Sequence, residues 1–110
     1  EPILMGIGAA KAAKLALSRA GLKKKDIDLW EINEAFASQI LSVIKYLKLN
    51  KSILNVNGGG IALGHPLGAS GARILTTLIY ALRDRGLRFG LASLCIGGGQ
   101  GIAIIVEYIK

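Results

Sequence analysis

The sequence predicts a layered α/β domain with a mixed, mostly parallel sheet covered by helices. Three observations lead there. Segments of helical and strand character alternate along the 110 residues. Glycines and basic residues punctuate them where helices should stop. The chain is also unusually apolar for its size, with 52% hydrophobic residues and a mean hydropathy of +0.49. Alternation of this kind places helices on the faces of a mainly parallel sheet.

The elements follow in order. Ala10, Ala13, Leu17 and Ala20 recur at helical spacing, with Lys11, Lys14 and Ser18 on the opposite side and Gly21 as the stop. Leu29-Trp30-Glu31-Ile32 reads as a short strand. Asn33 stands where a cap would, before a helix whose apolar stripe is Phe36, Ile40, Val43, Ile44 and Leu47. A second strand is predicted over Ile53 to Asn57, then a glycine-rich loop from Gly58 to Gly71. Ala72, Leu75, Leu78, Ile79 and Leu82 mark a third helix, closed by Arg83, Arg85 and Gly86, a C-terminal signature. Two last strands, Phe89 to Leu94 and Gly101 to Tyr108, are near enough in sequence to pair antiparallel. The chain thus opens on a helix, and a strand ahead of Glu1 would complete the first strand-helix unit.

Composition narrows the function. The apolar stretches are interrupted well before the roughly 20 residues of a membrane span. The surplus apolar surface is therefore expected to meet another domain or subunit. Glu1 is preceded by no Met, and no signal or transit sequence follows it, so the expectation is a piece of a longer chain. One cysteine, Cys95, cannot form an intramolecular disulfide, and a reducing, cytoplasmic setting is the default. The net charge of +7, with Lys23, Lys24 and Lys25 together, fits either attraction to phosphate or a solvated face. Aromatic content of only 5% argues against stacking on nucleic-acid bases.

Three segments at carboxyl ends of predicted strands, where open α/β sheets hold their ligands, carry the candidate chemistry. They are Asn33-Glu34-Ala35-Phe36, Gly64-His65-Pro66 and Cys95-Ile96-Gly97-Gly98-Gly99. His65, the single histidine, is either structural or a general base. Pro66 restricts the histidine backbone before it and Gly64 lets other groups approach closely, which suits an imidazole that must be held still. Cys95 is either a buried core thiol or a reactive one whose pKa the following glycine N–H groups would lower. A cysteine, a histidine and amide donors form an acyl-transfer set. Nucleotide-binding readings fail: Leu63 replaces the third glycine of a dinucleotide fingerprint, and no Gly-Lys-Ser/Thr run exists. Gly68-Ala69-Ser70-Gly71 is one residue short of a hydrolase elbow.

Taken together, Asn33–Phe36, the run Asn55-Val56-Asn57 through Gly64-His65-Pro66 to Ala72-Arg73, and Cys95-Ile96-Gly97-Gly98-Gly99-Gln100-Gly101 closely resemble thiolases. Met5 to Gly8 and Asp26-Ile27-Asp28 are similar too, and the resemblance covers nearly the whole chain. Related condensing enzymes share the fold without this Gly-His-Pro and Cys-x-Gly-Gly pair. The resemblance implies a thiolase carboxy-terminal domain over residues 1–110, incomplete at its amino end and lacking its first strand.

It further implies acyl transfer between coenzyme A thioesters, as Claisen condensation of acetyl-CoA or thiolysis of a 3-ketoacyl-CoA. Asn33, rather than a histidine there, matches the ordinary biosynthetic or degradative type. His65 would take the proton of a nucleophilic cysteine and later donate to a thioester oxygen. Asn33 would hold the water completing that oxyanion hole, and Cys95 would be the acid/base at the α-carbon. The Gly97 N–H would serve a second oxyanion hole, and Ala35 and Phe36 would border the pantetheine passage. No tightly bound cofactor or metal is implied. The partners implied are an acyl-CoA, an amino-terminal half bearing the nucleophile, and further copies in a homo-oligomer, with neither nucleic acid nor membrane. Without that half the chain is expected to be inactive. The competing readings are a non-catalytic interaction module of the same fold, a basic nucleic-acid binder, and a free-standing hydrolase using Cys95 and His65.

Overall fold

A computed structural model describes residues 7–34, 37–58, 70–96 and 100–110. Helix α1 spans Gly8–Ala20, β1 Leu29–Ile32, α2 Ala37–Leu47, α3 Ser70–Arg85, β2 Phe89–Ile96 and β3 Gln100–Glu107. The strands lie in the order β1-β2-β3, with β1 parallel to β2 and β2 antiparallel to β3. The predicted strand Leu29–Ile32 and the antiparallel final pair are thus both present.

The predicted strand over Ile53 to Asn57 is not. Lys51–Ile53 forms a 3-10 turn, and Leu54 alone makes a parallel bridge to Trp30 on the outer edge of β1. Asn55 then adopts a left-handed backbone, φ 48°, which ends any extended run. Isoleucine and valine favoured a strand, but the turn conformation at Asn55 overrode them.

Alternation along the strands divides the core into two layers. Trp30 and Ile32 of β1 and Leu91 of β2 pack with Ala10, Ala13 and Leu17 of α1 and Ile40, Val43 and Leu47 of α2. Leu29 and Ala92, on the other face, pack with Ile74, Leu78, Ala81 and Leu82 of α3. The result is helix, sheet, helix, as the alternating pattern predicted. Two details differ. Ala20 is exposed, since α1 ends there. The buried stripe of α3 runs through Ile74 and Ala81 rather than Ala72 and Ile79, which face outward. That helix is apolar on two sides, so periodicity alone could not select the buried one.

Close approach explains two glycines. A Cβ on Gly90 would come within 2.7 Å of the Leu78 side chain, and one on Gly101 would run into the backbone of Gly8. Helices α3 and α1 can therefore lie directly on β2 and β3. The predicted stops hold as well. Gly21 (φ 69°) and Gly86 (φ 67°) are left-handed, and the next residues close the turns through Leu22 N–H to Leu17 O and Leu87 N–H to Leu82 O. Helix α2 ends in the same way on Lys48, φ 55°, a conformation that costs a non-glycine residue energy.

Candidate active site

The carboxyl end of β1 is built from polar residues that the sheet buries. The Asn33 N–H donates to Ser93 O of β2 at 2.9 Å, one step past the end of the strand. The described part of α2 begins at Ala37, so Asn33 stands ahead of that helix as a continuation of the ladder. Asn33 is buried, and Cys95, two residues beyond Ser93, is half-buried beside the α1 layer. Two predicted site residues therefore lie at the ends of neighbouring parallel strands, the location an open α/β sheet reserves for ligands. His65, Ala35, Phe36 and Gly97, together with Gly98 and Gly99 of the proposed amide nest, lie outside the described residues.

Three further residues shape this end of the sheet. The Asn55 carboxamide brackets Ile32, accepting from its N–H at 2.9 Å and donating to its carbonyl at 2.9 Å. Its remaining N–H donates to Glu34 Oε2 at 3.1 Å, and its own backbone N–H reaches Trp30 O at 2.8 Å. Ser93, fully buried, sets its hydroxyl 2.7 Å from Ala9 O and 3.0 Å from Ile102 O, linking β2 to the first turn of α1. Glu31 is 1% exposed, and loss of hydration raises its pKa from 4.5 to about 7, with Arg73 opposing the rise and Glu34 adding to it.

Asn55 and Arg73 lie within the motif run and Glu31 within the predicted strand, and the sequence pattern gives none of them a role. A glutamate amid Leu29, Trp30 and Ile32 was the available signal, because a charge in a fully buried strand demands a reason. The lysine cluster resolves in part: Lys24 Nζ donates to Leu47 O and Lys48 O, both at 3.0 Å, and so caps the carboxyl end of α2. Among the described residues no group of three or more His, Cys, Asp or Glu side chains could hold a metal ion. No described helix is long and apolar enough to cross a membrane.

An apolar surface lies beside this end. Ile102 and Ile104 of β3 are 53% and 48% exposed, and with Ile74, Leu75 and Leu94 they line an open hollow of about 290 Å³.

The helix-sheet-helix layering defines a layered α/β domain with buried polar residues at its strand ends, and comparison with known proteins specifies its family. Residues 1–108 match the family described as thiolase, C-terminal domain. Acetyl-CoA acetyltransferase of Escherichia coli strain K12 is 59% identical over 109 residues, which are 99% of this chain and 28% of that protein. The 3-ketoacyl-CoA thiolase of Citrobacter koseri is 56% identical over 113 residues, covering 100% of this chain and 29% of its own. The crystal structure of human mitochondrial 3-ketoacyl-CoA thiolase in complex with CoA superposes with a TM-score of 0.96 at 55% identity, over 100% of this chain and 28% of that one. The chain belongs to the thiolase family. It spans little more than a quarter of the length of the curated relatives it matches.

Proposed function

We propose that this chain is the carboxy-terminal catalytic half of a thiolase, transferring acyl groups between coenzyme A thioesters by condensing acetyl-CoA or cleaving a 3-ketoacyl-CoA. The observation that carries the reading is that Asn33 and Cys95 stand at the ends of adjacent parallel strands, whose backbones are joined there by the Asn33 N–H to Ser93 O hydrogen bond. The motifs holding these residues occur in thiolase order along a chain that matches the family nearly end to end. The human relative solved with CoA supports coenzyme A thioesters as the substrate class.

On this reading a cysteine of an amino-terminal half attacks the acyl-CoA carbonyl and coenzyme A leaves as its thiol. His65 accepts the nucleophile's proton and afterwards donates to the thioester oxygen, with Asn33 ordering the water that completes that oxyanion hole. Cys95 removes the α-proton of the second acetyl-CoA in condensation and returns it in thiolysis. The Gly97 N–H binds the oxygen of the acyl-enzyme, and Ala35 and Phe36 border the pantetheine. Two oxyanion sites meet a chemical need, since acyl transfer and enolate formation develop negative charge on different oxygens. A thiol base is suited to the α-carbon because its pKa can be tuned near neutrality.

The exposed Ile102 and Ile104 of β3 and Ile79 of α3 support an amino-terminal half as the partner of this face. The assay is coenzyme-A-dependent thiolysis of acetoacetyl-CoA by the chain alone and mixed with an amino-terminal thiolase half. Activity in the mixture only, lost on Cys95→Ser and on His65→Asn, is the expected result. Activity of the chain alone would instead make Cys95 a nucleophile. Activity in neither would leave a thiolase fold without this chemistry.

A further inference from the structure

Glu31 and Arg73 raise a question that the acyl-transfer roles leave open. Glu31 lies near the carboxyl end of β1, 1% exposed, and neither carboxylate oxygen has a hydrogen-bond partner. Arg73 sits in the first turn of α3, and its Nε, Nη1 and Nη2 are likewise buried without an acceptor. Each group alone is costly. A buried carboxylate accepts only, a guanidinium donates only, and arginine cannot shed its charge. A cation in the first turn of a helix also faces the positive end of the helix dipole.

The fold sets these two costs against each other. Leu29 belongs to the layer under α3, and Glu31, two residues along the same strand, shares that face. Helix α3 packs across β1 and β2, with Gly71 of its first turn facing Leu94 near the carboxyl end of β2 and Leu78 facing Gly90 at the other end, so its first turn lies towards the end of β1 where Glu31 pairs with Ala92. We infer that Glu31 and Arg73 are a buried charge couple that holds the start of α3 against the carboxyl end of β1 and thereby positions Asn33. The inference rests on the thiolase reading for its catalytic consequence. Glu31 is the second residue before Asn33, and α3 begins at Ser70, five residues after His65 in the sequence. The couple therefore sets where Asn33 stands relative to the start of α3.

The charges around Glu31 agree with this. The Arg73 guanidinium lowers its pKa against the larger effect of burial, while Glu34 pushes it up. Glu34 is itself tied to Asn55 at 3.1 Å, so the like charge stays fixed near the couple. Neutralising Glu31 should accordingly loosen Arg73 without removing any group that touches substrate.

The test is a double-mutant cycle of Glu31→Gln and Arg73→Met in the complete enzyme, the chain together with its amino-terminal half. Thiolysis of acetoacetyl-CoA and the unfolding midpoint are followed between pH 5 and 9, a span chosen to bracket the titration near 7. Each single variant is expected to lose about 10- to 100-fold in kcat, the scale of a mispositioned catalytic group, with KM nearly unchanged. The double variant should be no worse than either single, and Arg73→Lys should recover part of the loss. Arg73→Met should also make the unfolding midpoint fall more steeply with rising pH. Additive effects of the two substitutions, or a pH dependence of unfolding indifferent to Arg73, would overturn the couple. A coupled unfolding profile with full kcat in Glu31→Gln would overturn the positioning role alone. An inactive wild-type enzyme would instead remove the thiolase reading, and the positioning role with it, while the unfolding cycle still judges the couple.

Discussion

The Asn55 side chain does the work of a β-strand for Ile32, accepting from its N–H and donating to its carbonyl at 2.9 Å each. Strand β1 thus gains a ladder partner on its outer edge, where the sheet of the described residues ends. Every polar hydrogen and the oxygen of that carboxamide are engaged, which fixes Asn55 in its left-handed conformation.

Asn55→Ala should destabilise the fold by about 2–4 kcal/mol, because two buried backbone groups of Ile32 lose their partner. Asn55→Asp should be no milder. It keeps the acceptor for Ile32 N–H but sets a carboxylate against Ile32 O and Glu34. Urea unfolding of both variants checks this, and a cost well under 1 kcal/mol for Asn55→Ala would show that water replaces the carboxamide.

Gly101→Ala should cost about 1–3 kcal/mol or more, since its Cβ would meet the Gly8 backbone rather than a yielding side chain. The three atoms nearest a Cβ on Gly90 all belong to the Leu78 side chain, which yields more readily than backbone, so Gly90→Ala should cost less. Comparing their unfolding midpoints tests whether α1 lies on β3 as closely as described.

The Glu31 carboxyl makes stability depend on pH. Its folded pKa of about 7 exceeds the ordinary 4.5, so the native state binds the proton more tightly. Stability is then full below pH 4.5 and declines as pH rises towards 7, by about 3 kcal/mol when the whole shift is expressed. Glu31→Gln should remove that decline. Unfolding curves at pH 5 and pH 8 distinguish the cases, and equal slopes for wild type and variant would refute it.

Lys48→Gly should stabilise the carboxyl end of α2 modestly, by up to about 1 kcal/mol. It relieves a left-handed lysine, φ 55°, and the gain is partly offset by the freer unfolded chain. The carbonyl that accepts from Lys24 is kept. Thermal unfolding of the variant reads the difference directly.

Much of this protein was legible before any coordinates. The alternation of apolar stripes and glycine stops marked α1, β1 and α3 and the final antiparallel pair, because helical and strand periods differ and left-handed turns require particular residues. Asn33 and Cys95 could be assigned to strand ends because each follows an apolar run and precedes a break. Ile53 to Asn57 misled because side-chain preference cannot reveal that Asn55 hydrogen-bonds across to Ile32. The buried face of α3 was ambiguous because both of its sides are apolar.

The sequence by itself therefore determined the class of fold, the family and the candidate acyl-transfer residues, all of which depend on local pattern and motif order. Tertiary structure alone decided that Asn55 completes the edge of β1, that Lys24 caps α2, and that Glu31 and Arg73 are buried on one face of the sheet. These are relationships between residues 21 to 42 positions apart, as in Lys24 with Lys48 or Asn55 with Glu34. They exist only once packing has removed water from groups whose charge or hydrogen-bonding demands must then be met within the protein.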